Sequence, residues 1–476
     1  MASPTWTRRW VLAGLGAGFG AGFAAPSSVA AQTARTTDLV AKAKLTGTTG
    51  FCVADVATGQ ILDSFQPASP VPPASVIKTI TALYALDHLG PDHQFTTQVL
   101  ATQPISAGVL AGDLILSGGG DPTLDTDGLG EMVAALARAG LKRVTGRFLV
   151  YGDALPAVGR ISDDIPVEAG YDPGLSGLSL NNNRVNLEWT KGGATAQMAA
   201  PGLRYQPLVQ GIRVSVVDRD TPVFTYSDQG AENWTVSRAA LAKEGSRWLP
   251  VRHVAPYVAE VFATLCAMQG ISLPPPQMIS ALPPGTPLIT WPSAHLAPIL
   301  REMLKYSTNV TAETVGLAAS GARSLPASAV AMQDWAAEVL GLKATLVDHS
   351  GLGATARVTA EGMVRAIMAG EKRASGAGLR ALLKEVSLKD EKGSPQIGGP
   401  VKICAKSGTL NFVSGLSGFM TLPSGRDLAF AIFSADPARR EAVPIEQRER
   451  PPGQKAWVAR ARVLQNGLLR HWASLA

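Results

Sequence analysis

The segment that most constrains the fold is Pro-Pro-Ala-Ser-Val-Ile-Lys at residues 72–78, which predicts a helix start bearing a hydroxyl and an amine. The two prolines suit the approach to a helix, because the first helical positions need no partner for their backbone N–H. Apolar residues follow at helical spacing until Gly90-Pro91. Ser75 and Lys78 stand at i and i+3, so both side chains project from one face near the positive end of the helix dipole. This arrangement indicates a serine nucleophile beside a lysine base.

Two further segments complete an ordered set of motifs. Residues 305–309, Lys-Tyr-Ser-Thr-Asn, contain Ser-x-Asn, and residues 406–409, Lys-Ser-Gly-Thr, contain Lys-Ser-Gly. Ser-x-x-Lys, Ser-x-Asn and Lys-Ser-Gly together form the signature of penicillin-binding proteins and class A β-lactamases. Ser-x-Asn also occurs at Ser179-Leu180-Asn181, but Ser307 falls at a predicted helix end among other helices and is the better candidate.

On these motifs the chain resembles the penicillin-recognising serine DD-peptidases. More narrowly, it resembles the D-alanyl-D-alanine carboxypeptidase/endopeptidase family of the penicillin-binding protein 4 (DacB, peptidase S13) type. The narrower resemblance rests on the long gap between the first two motifs and on three further matches: Ser-Gly-Gly-Gly-Asp-Pro at 117–122, Leu-Ser-Leu-Asn at 178–181 and Asp-His-Ser-Gly-Leu at 348–352. The partners that it implies are peptidoglycan peptides, with β-lactam antibiotics as acylating inhibitors.

Acyl transfer from a peptide needs a nucleophile, a base, an oxyanion site and a proton donor for the leaving amine. We expect Ser75 to be the nucleophile and Lys78 to be the base. Ser307 and Lys406 would relay a proton to the departing nitrogen, and Asn309 would hold Lys78 and the substrate amide.

The strand expected around Lys406 supplies the substrate-binding candidates Ser407, Gly408 and Thr409. By resemblance, the N–H groups of Ser75 and Thr409 form the oxyanion hole, and the Ser407 and Thr409 hydroxyls bind the carboxylate of a terminal D-alanine. On an extended strand Lys406 and Gly408 share one face while Ser407 and Thr409 share the other. Strand curvature or an edge position must therefore let both faces reach the substrate.

The motif order also predicts the architecture, an α+β fold. Ser75 and Lys406 must meet at one site, although a long segment of short strands and turns separates them. We therefore expect a discontinuous serine DD-peptidase/β-lactamase-like catalytic domain, with a five-stranded antiparallel sheet flanked by helices. Its two parts are residues 32–95 and 285–476. Residues 96–284 are an insertion, which the resemblance implies forms one or two smaller domains.

Residues 1–31 have the features of a secretory signal peptide. Thr-Arg-Arg-Trp at 7–10 supplies the arginine pair of a twin-arginine signal, a short apolar run rich in Gly and Ala follows, and Val29-Ala30-Ala31 offers small residues for cleavage before Gln32. An uncleaved anchor is the alternative. We expect a periplasmic or secreted protein, since no later apolar run is long enough to form a transmembrane helix.

Composition excludes several other classes of function. The net charge of +6 is mild for 476 residues and forms no dense basic stripe, so we expect no nucleic-acid binding. The six histidines have no metal-binding spacing, and we expect neither a metal nor a cofactor. Cys52, Cys266 and Cys404 are scattered. Burial as small apolar side chains is favoured over pairing, although an exported protein could pair two of them.

Two alternative functions stay open at this point. A β-lactamase uses similar motifs but is disfavoured by the long insertion and by the lack of an evident deacylating glutamate. A β-lactam-binding or wall-binding protein without turnover is disfavoured by the complete motif set. Asp348-His349-Ser350 is not expected to act as a Ser–His–Asp triad, because adjacent residues do not form that geometry. A loop near the site is the preferred interpretation of this segment.

Overall fold

The computed structural model describes residues 27–373, 378–390, 393–396 and 398–475. Residues 1–26, which hold the arginine pair and most of the predicted signal peptide, lie outside the described residues. Helix α1, Ser27–Ala43, runs across the predicted cleavage point before Gln32. Within the described part of the chain, no helix has both the length and the apolar character needed to cross a bilayer.

The chain enters a sheet directly after α1. It forms β1 Thr48–Asp55, β2 Ile61–Phe65, a 3₁₀ turn Ala74–Ile77 and α2 Lys78–Leu89. β1 and β2 pair as an antiparallel hairpin, with Phe51 opposite Phe65. Helix α2 is buried along most of its length. The Ser-x-x-Lys segment therefore leads into the protein interior.

The insertion follows α2 and consists mainly of short strands. Its elements are β3 Thr96–Ala101, β4 Ile105–Ser106, β5 Val109–Leu110, β6 Leu114–Gly118, α3 Thr126–Arg138, β7 Arg143–Val144, β8 Phe148–Tyr151, β9 Arg184–Trp189, β10 Ala196–Ala199, β11 Leu208–Val209, β12 Ile212–Val217, β13 Phe224–Asp228, β14 Glu232–Ser237, β15 Gly245–Pro250, α4 Val254–Met268, β16 Pro276–Ile279 and β17 Thr286–Pro292. They form a five-stranded sheet in the order β16-β8-β6-β3-β17, a four-stranded sheet in the order β11-β10-β9-β15, and the three-stranded sheets β12-β14-β13 and β4-β5-β7. Most of these elements share one apolar core.

The insertion extends further than the sequence predicted. β17 pairs antiparallel with β3, so the sheet ends at residue 292 and the expected boundary at 284 falls inside the insertion. Just beyond β17, the Ser293 N–H donates to the Phe95 carbonyl at 2.8 Å, and the Phe95 N–H donates to Ser293 Oγ at 3.0 Å. The outgoing and returning chains therefore lie side by side.

After the insertion the chain forms helices first and strands later. The elements are α5 Leu296–Tyr306, α6 Asn309–Ser320, α7 Leu325–Leu340, α8 Ala360–Arg373, α9 Leu379–Leu382, β18 Lys384–Glu385, β19 Lys402–Leu410, β20 Val413–Thr421, β21 Asp427–Ala435, α10 Pro437–Glu441 and α11 Gln454–Trp472.

One six-stranded sheet joins the two ends of the chain, in the order β18-β19-β20-β21-β1-β2. β1 pairs antiparallel with β21 along its whole length, which places the first strand of the chain beside the last. All five predicted strands are present, and the two-residue strand β18 adds an unpredicted sixth at the edge. The predicted α+β class is confirmed.

Helices cover both faces of this sheet. On one face, α2 and α5–α8 pack around apolar strand residues such as Phe433. On the other face lie α1 and α11, where the Trp472 ring sits 5.8 Å from the Phe51 ring and 6.0 Å from the Phe430 ring. The Trp472 indole N–H donates to Asp63 Oδ2 at 2.9 Å, so the buried ring leaves no unpaired donor.

Candidate active site

The turn that carries Ser75 differs from the sequence prediction in its local geometry. The sequence predicts that Ser75 occupies the first turn of an α-helix, whereas it lies on a 3₁₀ turn that leads into α2 at Lys78. Ala74 begins this turn with a left-handed φ of +47°, which is strained for a residue with a Cβ atom. In a 3₁₀ turn the side chains at i and i+3 eclipse each other. Lys78 Nζ accordingly lies 3.0 Å from Ser75 Oγ.

The amine of Lys78 is fully buried and has three partners. Besides Ser75 Oγ, Nζ lies 2.8 Å from Asn309 Oδ1 and 2.6 Å from the Ser350 carbonyl oxygen. These two oxygens can only accept hydrogen bonds. A neutral amine has two N–H bonds and one lone pair, so the two oxygens take both N–H bonds. The lone pair then faces the Ser75 hydroxyl, which is the one partner able to donate a proton.

The surroundings lower the pKa of Lys78 to about 7. Burial is the largest cause and the positive charge of Lys406 is the second, while the carboxyl groups of Glu313 and Asp348 act in the opposite direction. Burial also lowers the pKa of Lys406, to about 8. Near neutral pH, a substantial fraction of Lys78 is therefore an unprotonated base, while most of Lys406 remains protonated.

Ser307 connects two helices at the opposite side of the site. It ends α5 in a left-handed conformation, with φ 62° and ψ 38°, and α6 begins at Asn309. Lys406 Nζ donates to Ser307 Oγ at 3.0 Å and to the Ser407 carbonyl at 2.7 Å. The structure thus brings the catalytic candidates into two adjoining hydrogen-bonded groups: Ser75, Lys78 and Asn309, and Ser307 with Lys406.

Strand β19 passes directly against the Ser75 turn, and Gly408 makes this approach possible. A Cβ atom at Gly408 would lie 2.9 Å from both Ser75 N and the Pro73 carbonyl oxygen. Lys406 and Gly408 are buried, whereas Ser407 and Thr409 are exposed, as strand alternation requires. β18 pairs only with residues 404–405, so within the described residues the edge of β19 beyond Ala405 has no strand beside it. The face of Ser407 and Thr409 is therefore exposed, and residues of both faces lie along a strand edge that no described strand pairs with.

Two groups beneath Lys78 were missed in the sequence. The Ser350 carbonyl contacts Lys78, and the carboxylate of Glu313 accepts the His349 and Ser350 N–H groups, the latter at 2.9 Å. A backbone carbonyl leaves no signal in a sequence. Glu313 did leave one, because it is a single acid in an otherwise uncharged helical run, four residues after Asn309 and hence on the same helix face.

The insertion also reaches the site. Asn309 Nδ2 donates to the Tyr171 carbonyl at 2.7 Å, which fixes the amide so that its oxygen faces Lys78. The next residue, Asp172, is buried and accepts the N–H groups of Ile161 and Ser162, while Arg160 pairs with it at 2.8 Å. This loop is therefore firmly held where it contacts Asn309.

Two other segments considered in the sequence analysis, the second Ser-x-Asn motif and residues 348–350, have side chains that make structural contacts instead. Asn181, from the second Ser-x-Asn, bonds to Thr126 within the insertion. His349 is buried against Ser328 and Met332 rather than paired with Asp348 and Ser350 as a triad, and its segment contacts Lys78 through a carbonyl, in keeping with the predicted nearby loop.

Among the described residues no group of three or more His, Cys, Asp and Glu side chains could hold a metal ion. The three cysteines are unpaired: Cys52 and Cys266 are buried and Cys404 is half-buried. Burial raises the pKa of the Cys52 thiol to about 12, so it is protonated and unreactive at neutral pH.

Comparison with known proteins gives concordant matches over most of the chain. The model of a family described as the D-Ala-D-Ala carboxypeptidase 3 (S13) family matches residues 32–450. A D-alanyl-D-alanine carboxypeptidase of Actinomadura sp. (strain R39) is 27% identical over 424 residues, which cover 80% of this chain and 77% of the relative. D-alanyl-D-alanine carboxypeptidase DacB of Haemophilus influenzae is 25% identical over 421 residues, covering 83% of this chain and 87% of the relative.

A solved structure matches the whole architecture. The crystal structure of penicillin binding protein 4 (dacB) from Haemophilus influenzae superposes with a TM-score of 0.75 at 20% sequence identity, covering 92% of this chain and 99% of that one. At this identity the match speaks for the fold, and it confirms the one that the motif order predicted.

Proposed function

The chain belongs to the D-Ala-D-Ala carboxypeptidase 3 (S13) family, and we propose that Ser75 is the residue on which this serine DD-peptidase forms its acyl-enzyme. The protein is a peptide hydrolase of the peptidoglycan-directed class, as its family and relatives indicate. The observation that carries the assignment of Ser75 is the geometry of Lys78. Two carbonyl oxygens hold the amine so that its lone pair faces the Ser75 hydroxyl.

In the first step, Ser75 Oγ attacks the carbonyl carbon of the scissile peptide while its proton moves to Lys78 Nζ. The N–H groups of Ser75 and Thr409 stabilise the resulting oxyanion, and each such donor contributes about 10²–10³ in rate. The C–N bond then breaks. Lys406, bonded to Ser307 Oγ at 3.0 Å, supplies a proton to the departing amine through that hydroxyl.

In the second step, water replaces the amine. Lys78 returns its acquired proton to Ser75 Oγ as that atom leaves, and the proton that water loses restores the Ser307–Lys406 pair. The product is the shortened peptide acid, so no net proton is gained or lost by the four side chains. The amine that leaves is free D-alanine in carboxypeptidase action and a neighbouring stem peptide in endopeptidase action.

The open edge of β19 is the substrate-binding feature of this proposal. An extended peptide can lie along it by β-augmentation, with its terminal carboxylate at the Ser407 and Thr409 hydroxyls and the charge of Lys406 beside them. Gly408 keeps β19 close to Ser75, so the scissile carbonyl of a peptide bound along β19 can reach the Ser75 hydroxyl.

The insertion and the export signal complete the proposal. Residues 1–31 act as a twin-arginine signal that is cleaved before Gln32, which places the enzyme with its peptidoglycan substrate in the periplasm or outside the cell. The catalytic unit is residues 32–95 together with the chain after the insertion. The insertion positions Asn309 through the Tyr171 carbonyl and shapes access to the site.

β-Lactam antibiotics acylate the same serine in this proposal. The β-lactamase alternative requires a base for rapid deacylation, and Glu313, the acid with the largest electrostatic effect on Lys78, is fully buried with its carboxylate accepting backbone N–H groups. That carboxylate has no access to a hydrolytic water, so a long-lived penicillin adduct is expected.

Two measurements test the proposed function. Peptide mapping of the penicillin-treated protein should find the adduct on Ser75, and Ser75→Ala should abolish it. Incubation with muropeptides should release D-alanine or separate cross-linked peptides, as read by mass spectrometry. An adduct on Ser179, Ser307 or Ser350 with Ser75 free would overturn the assignment, and rapid penicillin turnover without peptide cleavage would favour a β-lactamase.

A further inference from the structure

We propose that Glu313 is a positioning residue for Lys78: its buried carboxylate fixes the turn at 349–350 and balances the charge of the two site lysines. This inference rests on the proposed function, in which Lys78 is the base that activates Ser75. Glu313 touches neither the substrate nor Ser75 in this proposal. It acts through the groups that hold the Lys78 amine.

The first part of the argument is a two-step chain of hydrogen bonds. Glu313 has no exposed surface, and its carboxylate accepts the His349 N–H at 3.2 Å and 3.1 Å and the Ser350 N–H at 2.9 Å. The carbonyl of the same Ser350 accepts from Lys78 Nζ at 2.6 Å. Glu313 therefore sets the position of one of the two oxygens that direct the Lys78 lone pair.

The second part is the helix that carries Glu313. Glu313 stands one turn after Asn309 on α6, and Asn309 Oδ1 is the other oxygen that holds Lys78, at 2.8 Å. One rigid helix thus places both directing oxygens. It carries Asn309 Oδ1 on its own side chain, and it positions the Ser350 carbonyl through Glu313 and the 349–350 turn. A movement of α6 would shift both together and preserve the angle between them.

The third part is charge. The ionisable groups that act on Lys78 are Lys406 from β19, Glu313 from α6 and Asp348 from the loop after α7. Asp348 Oδ1 and Oδ2 accept the Gly351 and Gly353 N–H groups, both at 2.6 Å. Two potential cations therefore face two potential anions in a buried region. Removal of one acid leaves an excess of positive charge, which disfavours the protonated form of Lys78.

Glu313 and Lys78 are electrostatically coupled. Burial, followed by the charge of Asp348, raises the pKa of Glu313, whereas the hydrogen bonds from Ser350 and His349 and the charge of Lys78 lower it. Both oxygens of its carboxylate accept N–H groups, which favours the ionised form that balances the charge of Lys78. The neighbouring His349 contributes no charge at neutral pH, because burial lowers its pKa to about 3.

The experiment compares variants in the full chain by the second-order rate of penicillin acylation of Ser75 between pH 5.5 and 9. Glu313→Gln keeps the shape and an accepting oxygen but removes the charge, so the midpoint of the acid limb should fall by about one pH unit. Glu313→Ala also frees the 349–350 turn, and should lower the rate at every pH by about tenfold or more.

A matched control separates positioning from packing. Ser328→Ala removes the 2.6 Å bond to His349 Nε2 on the other side of the same turn without changing any charge. It should lower thermal stability and leave the acid midpoint where it is in the wild type. A purely structural role for Glu313 would make Glu313→Gln behave like this control.

The experiment distinguishes a failure of this inference from a failure of the proposed function. A wild-type protein that is not acylated at Ser75 refutes the proposed function whatever Glu313 does. Wild-type acylation together with an unshifted midpoint in a folded Glu313→Gln variant overturns the present inference. Should that variant fail to fold, Glu313→Asp decides, because it keeps the charge but cannot reach both amides: a reduced rate with a wild-type midpoint supports the inference, and an unchanged rate overturns it.

Discussion

Lys78 Nζ lies 3.0 Å from Ser75 Oγ, and the other contacts of this amine determine what the distance means chemically. A lysine beside a serine could donate to the hydroxyl or accept from it. Because Asn309 and Ser350 offer only oxygens to the amine, the neutral form of Lys78 is left with its lone pair directed at Ser75. The relationship therefore specifies both a base and the protonation state in which it works.

The first prediction is a bell-shaped pH dependence of penicillin acylation. The pKa of Lys78 is lowered to about 7, and the neutral form is the active one, so the rate should be lost as the pH falls below about 7. The pKa of Lys406 is lowered to about 8, and the protonated form is the active one, so the rate should be lost as the pH rises above about 8. Stopped-flow or quench measurement of the acylation rate across pH 5.5–9.5 checks both limbs.

A matched variant assigns the alkaline limb. Lys406→Arg keeps a cation that does not lose its proton in this range, so the alkaline limb should disappear while the acid limb stays near pH 7. The overall rate should drop, because the guanidinium cannot reproduce the contact with Ser307. An acid midpoint above pH 9 in the wild type would contradict the role given to Lys78.

The sequence predicted the identities of the site residues better than their geometry. The three motifs are local patterns, and their order indicated a family in which they meet. Asn309 was expected to hold Lys78, and its Oδ1 does lie 2.8 Å from Nζ although 231 positions separate the two residues. Local patterns alone do not give that geometry. The 3₁₀ turn at Ser75 was also beyond the sequence, because it depends on a positive φ at Ala74, a residue type that rarely adopts one. Packing of β19 against the turn stabilises it.

Physical reasons also explain why the sequence did not predict β17, β18 and the role of Glu313. The sequence placed the boundary just after Pro283-Pro284, so β17, Thr286–Pro292, fell on the far side of it. Proline, present in β17 as Pro287 and Pro292, is disfavoured in strands. It is tolerated here because β17 is the outer strand of its sheet. β18 has only two residues, which is too short for any periodic pattern. Glu313 was passed over because a single acid on a helix is most often a solvated one, and only tertiary packing buries it.

The second prediction concerns Gly408. Replacement by alanine would place a Cβ atom 2.9 Å from Ser75 N and from the Pro73 carbonyl oxygen, both backbone atoms that cannot rotate away. β19 must then move away from the Ser75 turn, and a displacement of about 1 Å at a reacting centre costs about 10²-fold in rate. We expect Gly408→Ala to acylate with penicillin at least about tenfold more slowly than the wild type, while its far-UV circular dichroism remains unchanged.

Gly159→Ala is the control for that variant. Gly159 has an ordinary backbone conformation and open space where a Cβ atom would lie, so its replacement should leave the acylation rate within twofold of the wild type, as surface substitutions typically change little. If Gly408→Ala acylated at the wild-type rate, the close approach of β19 would not be required for catalysis.

The third prediction tests the proposed division of the chain. Because Phe95 and Ser293 hydrogen-bond to each other where the insertion leaves and returns, a short Gly-Ser linker can replace the residues between them. The shortened protein should fold and still be acylated at Ser75 by penicillin. The rate should be lower, because Asn309 loses the Tyr171 carbonyl that holds its amide.

The same deletion combined with Ser75→Ala provides the negative control, and mass spectrometry of the intact protein gives the readout. A shortened protein that has a cooperative unfolding transition but takes up no penicillin would show that the insertion supplies more than positioning. That result would contradict the proposed catalytic unit without bearing on the identity of the nucleophile.

The last prediction concerns stability and the buried imidazole of His349. Gly316 leaves room for this ring, since a Cβ atom there would lie 2.2 Å from the imidazole Cγ, and burial lowers the ring's pKa from 6.5 to about 3. The unfolded chain therefore binds one more proton than the folded chain between these two values. The corresponding stability is fully present above about pH 6.5 and is lost as the pH falls toward about 3, by about 1.4 kcal/mol per pH unit.

Urea unfolding at several pH values from 4 to 7 should show this slope as the difference between the wild type and His349→Gln. Equal slopes for His349→Gln and the wild type would show that His349 is protonated inside the folded protein.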